Sequence, residues 1–542
     1  MAKTTVFSAK KIITMKPDQP EATHVAVRNG RILAVGGADC ADPWGGGEIS
    51  DQFNDNVILP GFVEGHAHMM AGSIWKYTYT GFFPRTDGKG VIWDGAKSIP
   101  EVLNRLTLAE PDLPDGQPLV GWGFEPIYLR PQTLRRQDLD KISRTRPIAV
   151  IHSNLHLITA NTAALELAGY DECTEAYGVI RDSNGELTGE LLEMAAMFPV
   201  MRKLGIDFRA LTQTEDAILS YGEVAKRVGV TTATDLLATI EDDDLALLQS
   251  VTANPDFPLR LVPAISAIGC SPADLVKRAK ALAEHSTEKL HLGAVKIMTD
   301  GSLHGFTARL KWPHYLNSHE NGMWNIAPDQ IRELCTILHA NKIQMHIHAN
   351  GDEASEVVLD ALSDAIDQSS WAEHRHVLQH CQMMTDAQLA QAARLNLCAN
   401  FFSNHLFYFG EEHRRFTLGD NRTASMNPCR SALAAGVNIS IHSDAPITQM
   451  DPLFAAWCAV NRQTSQGDIV GSDQRIDVMQ ALHAITMGAA YTLKLDYEIG
   501  SIEVGKMADF AVLDKDPLAE PKEDLRNIKV VATIVDGRVY PV

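Results

Sequence analysis

The sequence predicts an α/β fold: a (β/α)8 TIM-like barrel with an inserted α/β subdomain after its first strand and a small β-sandwich made from both termini. Three observations carry this. Eight short, wholly apolar runs alternate with helical patterns in the middle of the chain, as buried parallel strands with crossover helices do. Both ends instead show the two-residue alternation of half-buried antiparallel strands. A stretch of about 165 residues between the first and second apolar runs is far too long for a loop.

At the N-terminus, Lys11–Met15, His24–Val27 and Arg31–Val35 alternate, and Asn29-Gly30 marks a tight hairpin. Residues 1–56 therefore read as one part of the sandwich. Ala508–Leu513, Val530–Val535 and Arg538–Tyr540, with Asp536-Gly537 at the turn, supply the other part within residues 491–542. Neither piece can bury a core alone, so they are expected to join.

The candidate barrel strands are Val57–Phe62, Val230–Leu236, Leu259–Ile265, Ala294–Met298, Ile343–His348, His376–His380, Leu397–Phe401 and Asn438–His442. Asp329–Ala340 and Asp386–Ala393 have helical periodicity between them. The first strand occupies residues 57–70, and the rest of the barrel spans 229–490. Residues 71–228 form the insert, with strand-like Pro118–Trp122 and Pro147–Ile151 and helix-like Thr162–Leu167 and Arg209–Arg227. An insertion that follows a barrel strand emerges at the catalytic mouth and covers the substrate.

Composition narrows the function classes. The 542 residues are 45% hydrophobic and 21% charged, with a formal net charge of -20, ordinary for a globular protein. That charge argues against nucleic acid and anionic membranes as partners. No run approaches the roughly 18 apolar residues of a spanning helix, and the start of the chain does not resemble a signal peptide. Eight scattered cysteines without a C-x-x-C pair fit small hydrophobes in a reducing cytoplasm. A disulfide framework or cysteine zinc site is the lesser alternative.

The chemistry concentrates at strand ends. His66-Ala67-His68 follows the first apolar run and Pro60-Gly61. Histidines at i and i+2 on an extended segment share a face, and imidazole suits Zn²⁺ and similar divalent ions. The fifth strand ends with His346-Ile347-His348, the sixth with His380 and the eighth with Asp444. His348 is nearer the strand end and is the better ligand; His346 reads as a packing or supporting residue. Each could instead be a core histidine or an N-cap aspartate, but their convergence at one barrel mouth favours a site. Lys296, inside an apolar strand, is costly to bury unpaired. It is either an edge or salt-bridged lysine or a lysine carboxylated by CO₂, an anionic ligand able to bridge two metals.

These residues resemble the amidohydrolase superfamily, in the branch called amidohydrolase family 3 that includes N-substituted formamide deformylase-like proteins. The matching motifs are His66-Ala67-His68, Lys296 with Thr299–Leu303, His348–Asp352, His380 and Ser443–Pro446. Gly178–Asp182, Gly185–Gly189 and Gly500–Asp509 match as well. The resemblance implies His66, His68, Lys296, His348, His380 and Asp444 as ligands of one or two divalent ions, with carboxylated Lys296 bridging and Asp444 moving the proton. His156, in Ser153-Asn154-Leu155-His156 where relatives often carry Asp-Gly-His, becomes a substrate-contact candidate. His304 takes the place of a common glycine, and Asn350 that of an apolar residue.

The aromatic residues Trp75, Tyr77, Phe82-Phe83, Trp312, Tyr315, Phe401-Phe402 and Phe407–Phe409 follow strand ends; they form either an apolar substrate wall or insert-to-barrel packing. Trp75 and Arg309 are further substrate-binding candidates, although a surface salt bridge also suits Arg309. The implied activity is metal-dependent hydrolysis of a non-peptide C–N bond in a small molecule. Deamination of a cyclic amidine and a non-catalytic scaffold are the alternatives. Relatives are commonly dimers or larger, so a homo-oligomer is also implied.

Overall fold

The computed structural model describes residues 3–316 and 320–542. Its centre is an eight-stranded parallel barrel: β1 (Phe62–Glu64), β2 (Val230–Ala238), β3 (Arg260–Ser266), β4 (Ala294–Met298), β5 (Met345–Ala349), β6 (Val377–His380), β7 (Cys398–Phe401) and β8 (Asn438–Ile441). Every sequential pair from β1 to β8 is hydrogen-bonded in parallel. The seam between β8 and β1 closes just past the strand ends. Asp444 N–H donates to His66 C=O (3.0 Å), and His68 N–H donates to Ala445 C=O (2.8 Å). The buried Glu64 carboxylate accepts the Ser443 N–H and hydroxyl, at 3.1 and 2.7 Å.

Alternation sorts the side chains of each strand. Val295, Ile297, Met345 and Ile347 join the hydrophobic core beneath the helices. Lys296, His346 and His348 therefore face the barrel interior, with Lys296 level with His346. The helix Pro328–Ala340 buries Ile331, Leu334, Cys335 and Leu338, the i, i+3, i+4, i+7 stripe of an amphipathic helix. Thr385 caps Asp386–Arg394.

The first strand differs from expectation. The apolar run Val57–Phe62 is divided between two sheets: Glu48–Pro60 pairs with Thr5–Ile13 and Phe510–Leu513, and only Phe62 onward enters the barrel. Pro60-Gly61 makes the break. A side chain at Gly61 would lie 2.1 Å from Thr231 Oγ1, so the chain can pass the base of the barrel only as glycine.

The two termini form a single seven-stranded sheet, ordered Arg538–Pro541, Val530–Val535, Phe510–Leu513, Glu48–Pro60, Thr5–Ile13, Glu21–Arg28, Arg31–Gly36. It folds over a core of Phe7, Ile12, Val27, Phe53, Phe510 and Ile534. The insert carries a six-stranded sheet from Thr78–Tyr79 to Leu187–Leu192. Its last helix, Glu215–Arg227, returns to the barrel, placing Ile218, Tyr221 and Ala225 in the barrel core.

Candidate active site

His66 follows β1 and is buried. Its Nδ1 lies 2.8 Å from Gln379 Oε1, which turns Nε2 inward. There Nε2 is 3.3 Å from Asp444 Oδ1 and 3.4 Å from Lys296 Nζ. His68 Nε2 lies 3.4 Å from the same Asp444 oxygen. One donor atom from each of His66, His68 and Asp444 thus converges within 4.8 Å, and so do those of His66, His380 and His442. Asp444 holds its place in the left-handed region (φ 55°). Burial pulls its carboxyl up, but the neighbouring His68 ring, with His442 and Lys296, outweighs this and holds it below the usual range.

His380 ends β6. Its Nδ1 is 3.7 Å from Asp444 Oδ2 and its Nε2 is 3.0 Å from His348 Nδ1. His348 Nε2 faces the Gly301 carbonyl at 3.1 Å, which also accepts a hydrogen bond from Asn350 Nδ2 at 2.8 Å. His346 lies behind the cluster, 2.9 Å from Gln379 Nε2. Burial drives the imidazoles of His66, His348 and His380 far below their usual range, and that of His442 to about 3. The rings are neutral, with lone pairs to offer. Lys296 is buried, and desolvation lowers its ammonium to about 7, against the opposing pull of Asp444.

The cluster opens into a cavity of about 1130 Å³. His66, His68, Lys296, His348, His380, Asp444 and His156 line it. His156 Nδ1 lies 2.7 Å from Glu193 Oε2. Burial would depress this imidazole, but the charge and hydrogen bond of Glu193 raise it.

The other sequence-derived candidates sit elsewhere. Trp75 packs edge-on against Trp122 and donates Nε1–H to Ala71 C=O, so it belongs to the insert's own core. His304 stacks on Phe409 and lies 3.0 Å from His405 Nε2. Arg309 pairs with Glu353 at 2.8 Å and donates to Gly322 C=O; its fork is already used in a salt bridge. Asn350 supports His348 and does not reach the cavity wall. The aromatic residues after the strand ends are mostly packing, and Trp312 is exposed. The apolar wall comes instead from Met194, Phe198, Met201, Phe208, Ile240 and Ile268, on the insert and the loops after β2 and β3.

Sequence reasoning missed His442, Glu64, Gln379 and Glu193. His442 precedes Asp444 by two residues, the same spacing as His66 and His68, and so shares its face. Glu64 is a charge inside an apolar strand, the signal that singled out Lys296. Glu193 has no comparable local signal.

Buried polar atoms rarely go unpartnered. Among the described residues, Asp444 Oδ1, His380 Nδ1 and both nitrogens of His442 are buried without a hydrogen-bond partner. Neutral imidazoles and a carboxylate turned on one point fit a divalent cation. The barrel, with these side chains at the C-terminal ends of its strands, defines the class of metal-dependent hydrolases. Residues 53–541 match the model of the amidohydrolase family, and the chain belongs to that family.

It is 27% identical to N-substituted formamide deformylase of Arthrobacter pascens, covering 95% of this chain and 94% of that protein. It is also 27% identical to putative amidohydrolase YtcJ of Bacillus subtilis (strain 168), with 97% of each covered. It is 26% identical to Protein LONG AFTER FAR-RED 3 of Arabidopsis thaliana, covering 98% of this chain and 90% of that protein. The fold matches an uncharacterized metal-dependent hydrolase from Pyrococcus horikoshii OT3 with a TM-score of 0.71, at 20% identity over 96% of this chain and 99% of that one.

The protein is a hydrolase of carbon–nitrogen bonds that depends on a divalent metal and acts on a small molecule. Among the described residues no helix is long and apolar enough to cross a membrane.

Proposed function

We propose that this enzyme hydrolyses an amide, N-formyl or N-acyl amine whose substituent is bulky and apolar. The observation that carries the reading is the cluster of His66, His68, His380, Lys296 and Asp444 at the floor of a large, mainly apolar cavity. The formamide deformylase similarity supports the bond type.

His66, His68 and Asp444 would hold one ion, zinc by their donor chemistry. His348 Nδ1 and His380 Nε2, 3.0 Å apart, would hold a second. A carboxylated Lys296 would supply an anionic oxygen donor for both: its neutral amine, favoured by burial, and CO₂ would form the carbamate and release one proton. A bound divalent ion supplies Lewis acidity to the carbonyl and acidifies water.

The protein's own part is proton movement and orientation. Gln379 fixes the His66 ring through Nδ1. Asp444, through the carboxylate oxygen not turned on His66 and His68, takes a proton from the attacking water and passes it to the leaving nitrogen. Water adds at the carbonyl carbon, the C–N bond breaks, and the products are a carboxylate and an amine. His156 contacts the substrate from the insert side. Eight free cysteines, most of them buried, support a reducing, cytoplasmic setting.

The test is metal analysis with a panel of N-formyl and N-acyl amines. One or two ions per chain are expected, with activity lost on chelation and restored by zinc. Asp444→Asn should lower kcat by about 10²–10⁴-fold. Full activity in a chelated preparation, or in Asp444→Asn, would overturn the reading. Release of ammonia from a cyclic amidine would point to deamination instead.

A further inference from the structure

The insert presents one imidazole to the metal-ligand cluster, and its surroundings are shaped to fix it. His156 N–H donates to Asn154 Oδ1 at 2.9 Å. Asn154 Nδ2 donates in turn to Ser302 Oγ, on the loop after β4, at 3.0 Å. The His156 carbonyl accepts the Glu193 N–H at 2.7 Å, while Glu193 Oε2 meets His156 Nδ1 at 2.7 Å. His156 and Glu193 are 7% and 3% exposed, so water competes little for this pair.

Two non-glycine residues adopt left-handed backbone to make the arrangement: Leu155 (φ 59°) and Glu193 (φ 60°). Such residues cost about 1–3 kcal/mol each and cluster at functional sites. Gly301, beside the β4 end, leaves the space Glu193 needs, since a Cβ there would lie 2.3 Å from Glu193 Oε1. Among the described residues His156 Nε2 has no hydrogen-bond partner, and His156 lines the cavity with its ring centre 5.7 Å from that of His348.

We propose that Glu193 is a positioning residue for the hydrolytic reaction, holding His156 so that its Nε2 contacts the reacting amide of the substrate. A carboxylate on one imidazole nitrogen sets the orientation and tautomer of the ring and so what the other nitrogen offers. Glu193 begins the helix Glu193–Lys203, which also supplies Met194, Phe198 and Met201 to the cavity wall. One short element thus sets both the shape of the pocket and the aim of its polar contact. The inference rests on the C–N hydrolase reading above.

The experiment compares Glu193→Ala, Glu193→Gln, His156→Ala and the His156→Ala/Glu193→Ala double variant of the metal-loaded enzyme, on a substrate the wild type turns over. Glu193→Ala should lower kcat about 10–100-fold with KM changed by less than about threefold. Metal content should stay at the wild-type value, and the variant should keep a cooperative unfolding transition. Glu193→Gln keeps an acceptor oxygen and should recover most of the rate. The double variant should be no slower than His156→Ala, because residues acting as one unit are not additive.

Multiplying losses, or wild-type kcat in Glu193→Ala, would overturn the proposal. Crystal structures of the wild type and Glu193→Ala test it without turnover: the His156 ring should leave its wild-type position, and an unmoved ring would overturn the role. A wild type inactive on the whole panel would count against the proposed function and leave that crystallographic result standing.

Discussion

Gly351 shows how tightly single residues constrain the site. It precedes the helix Asp352–Gln368 with ordinary backbone angles (φ -83°), so conformation does not require glycine there. Space does: a Cβ would lie 1.7 Å from the Arg309 carbonyl oxygen, a backbone atom that cannot swing away. The same turn is tied to Asp300, whose carboxylate accepts the N–H groups of Asn350, Gly351 and Arg309. Overpacking of this kind costs about 1–3 kcal/mol. Gly351→Ala should therefore lower the unfolding free energy measured by urea titration by that amount. Because Asp300 joins the β4 and β5 ends, it should also weaken metal retention; unchanged stability would mean that the two loops separate easily.

At this scale the residues of the candidate metal cluster stood out in the sequence because histidine, lysine and aspartate at strand ends are chemically conspicuous. His156 was singled out by its motif. Glu193 was not, because its importance arises only when a helix start folds onto a loop 37 residues earlier. Arg309 and Trp75 misled because a residue type suited to binding is equally suited to a salt bridge or a core.

Among elements, apolar runs marked the barrel well: Ala294–Met298 emerges with the expected limits, and β2, β3 and β5–β8 differ at their ends by a few residues. Val57–Phe62 failed because hydrophobicity is continuous across Pro60-Gly61 while the pairing partners change, and periodicity carries no information on partners. The helix Pro452–Asn461 offers a prediction about charge. Asp451 caps it, accepting the Phe454 N–H at 3.0 Å. Burial pushes this carboxyl up to about 6, partly opposed by the hydrogen bonds from Phe454 and Leu453.

A folded-state value above the ordinary 3.8 means that the folded chain binds this proton more readily than the unfolded chain. The cost of the buried carboxylate is present above about pH 6 and fades as pH falls towards 4. A shift of this size corresponds to about 2–3 kcal/mol. Asp451→Asn keeps the capping oxygen without the charge. It should be more stable than the parent by about that amount at pH 8, and the difference should vanish near pH 4. Denaturant titrations of both proteins across this range check it, and a gap independent of pH would contradict it.

In the whole molecule, the terminal sheet and the barrel are joined by a buried ion pair. Arg260 begins β3 and donates through Nη1 to Asp509 Oδ2 and through Nε to the Glu288 carbonyl. Its side chain is 1% exposed and that of Asp509 3%. Asp509 also accepts the Asp536 N–H on its carboxylate and the Gly61 N–H on its carbonyl, at 2.9 and 2.8 Å. One residue of the C-terminal sheet thus contacts the barrel, the strand break at Gly61 and the last hairpin.

Removing one partner of such a pair strands a buried charge and costs about 3–5 kcal/mol. Asp509→Ala should lose stability on that scale, and sheet and barrel should still unfold in one calorimetric transition. If the terminal sheet were an independent unit, an earlier, separate transition would appear while the barrel kept its own midpoint. The double variant Arg260→Met/Asp509→Leu removes both charges, and replacing a whole buried pair with apolar groups is often neutral. It should therefore recover most of the loss. Failure to recover would mean that the Asp509 contacts to Asp536 and Gly61, and not the guanidinium, hold the two parts together.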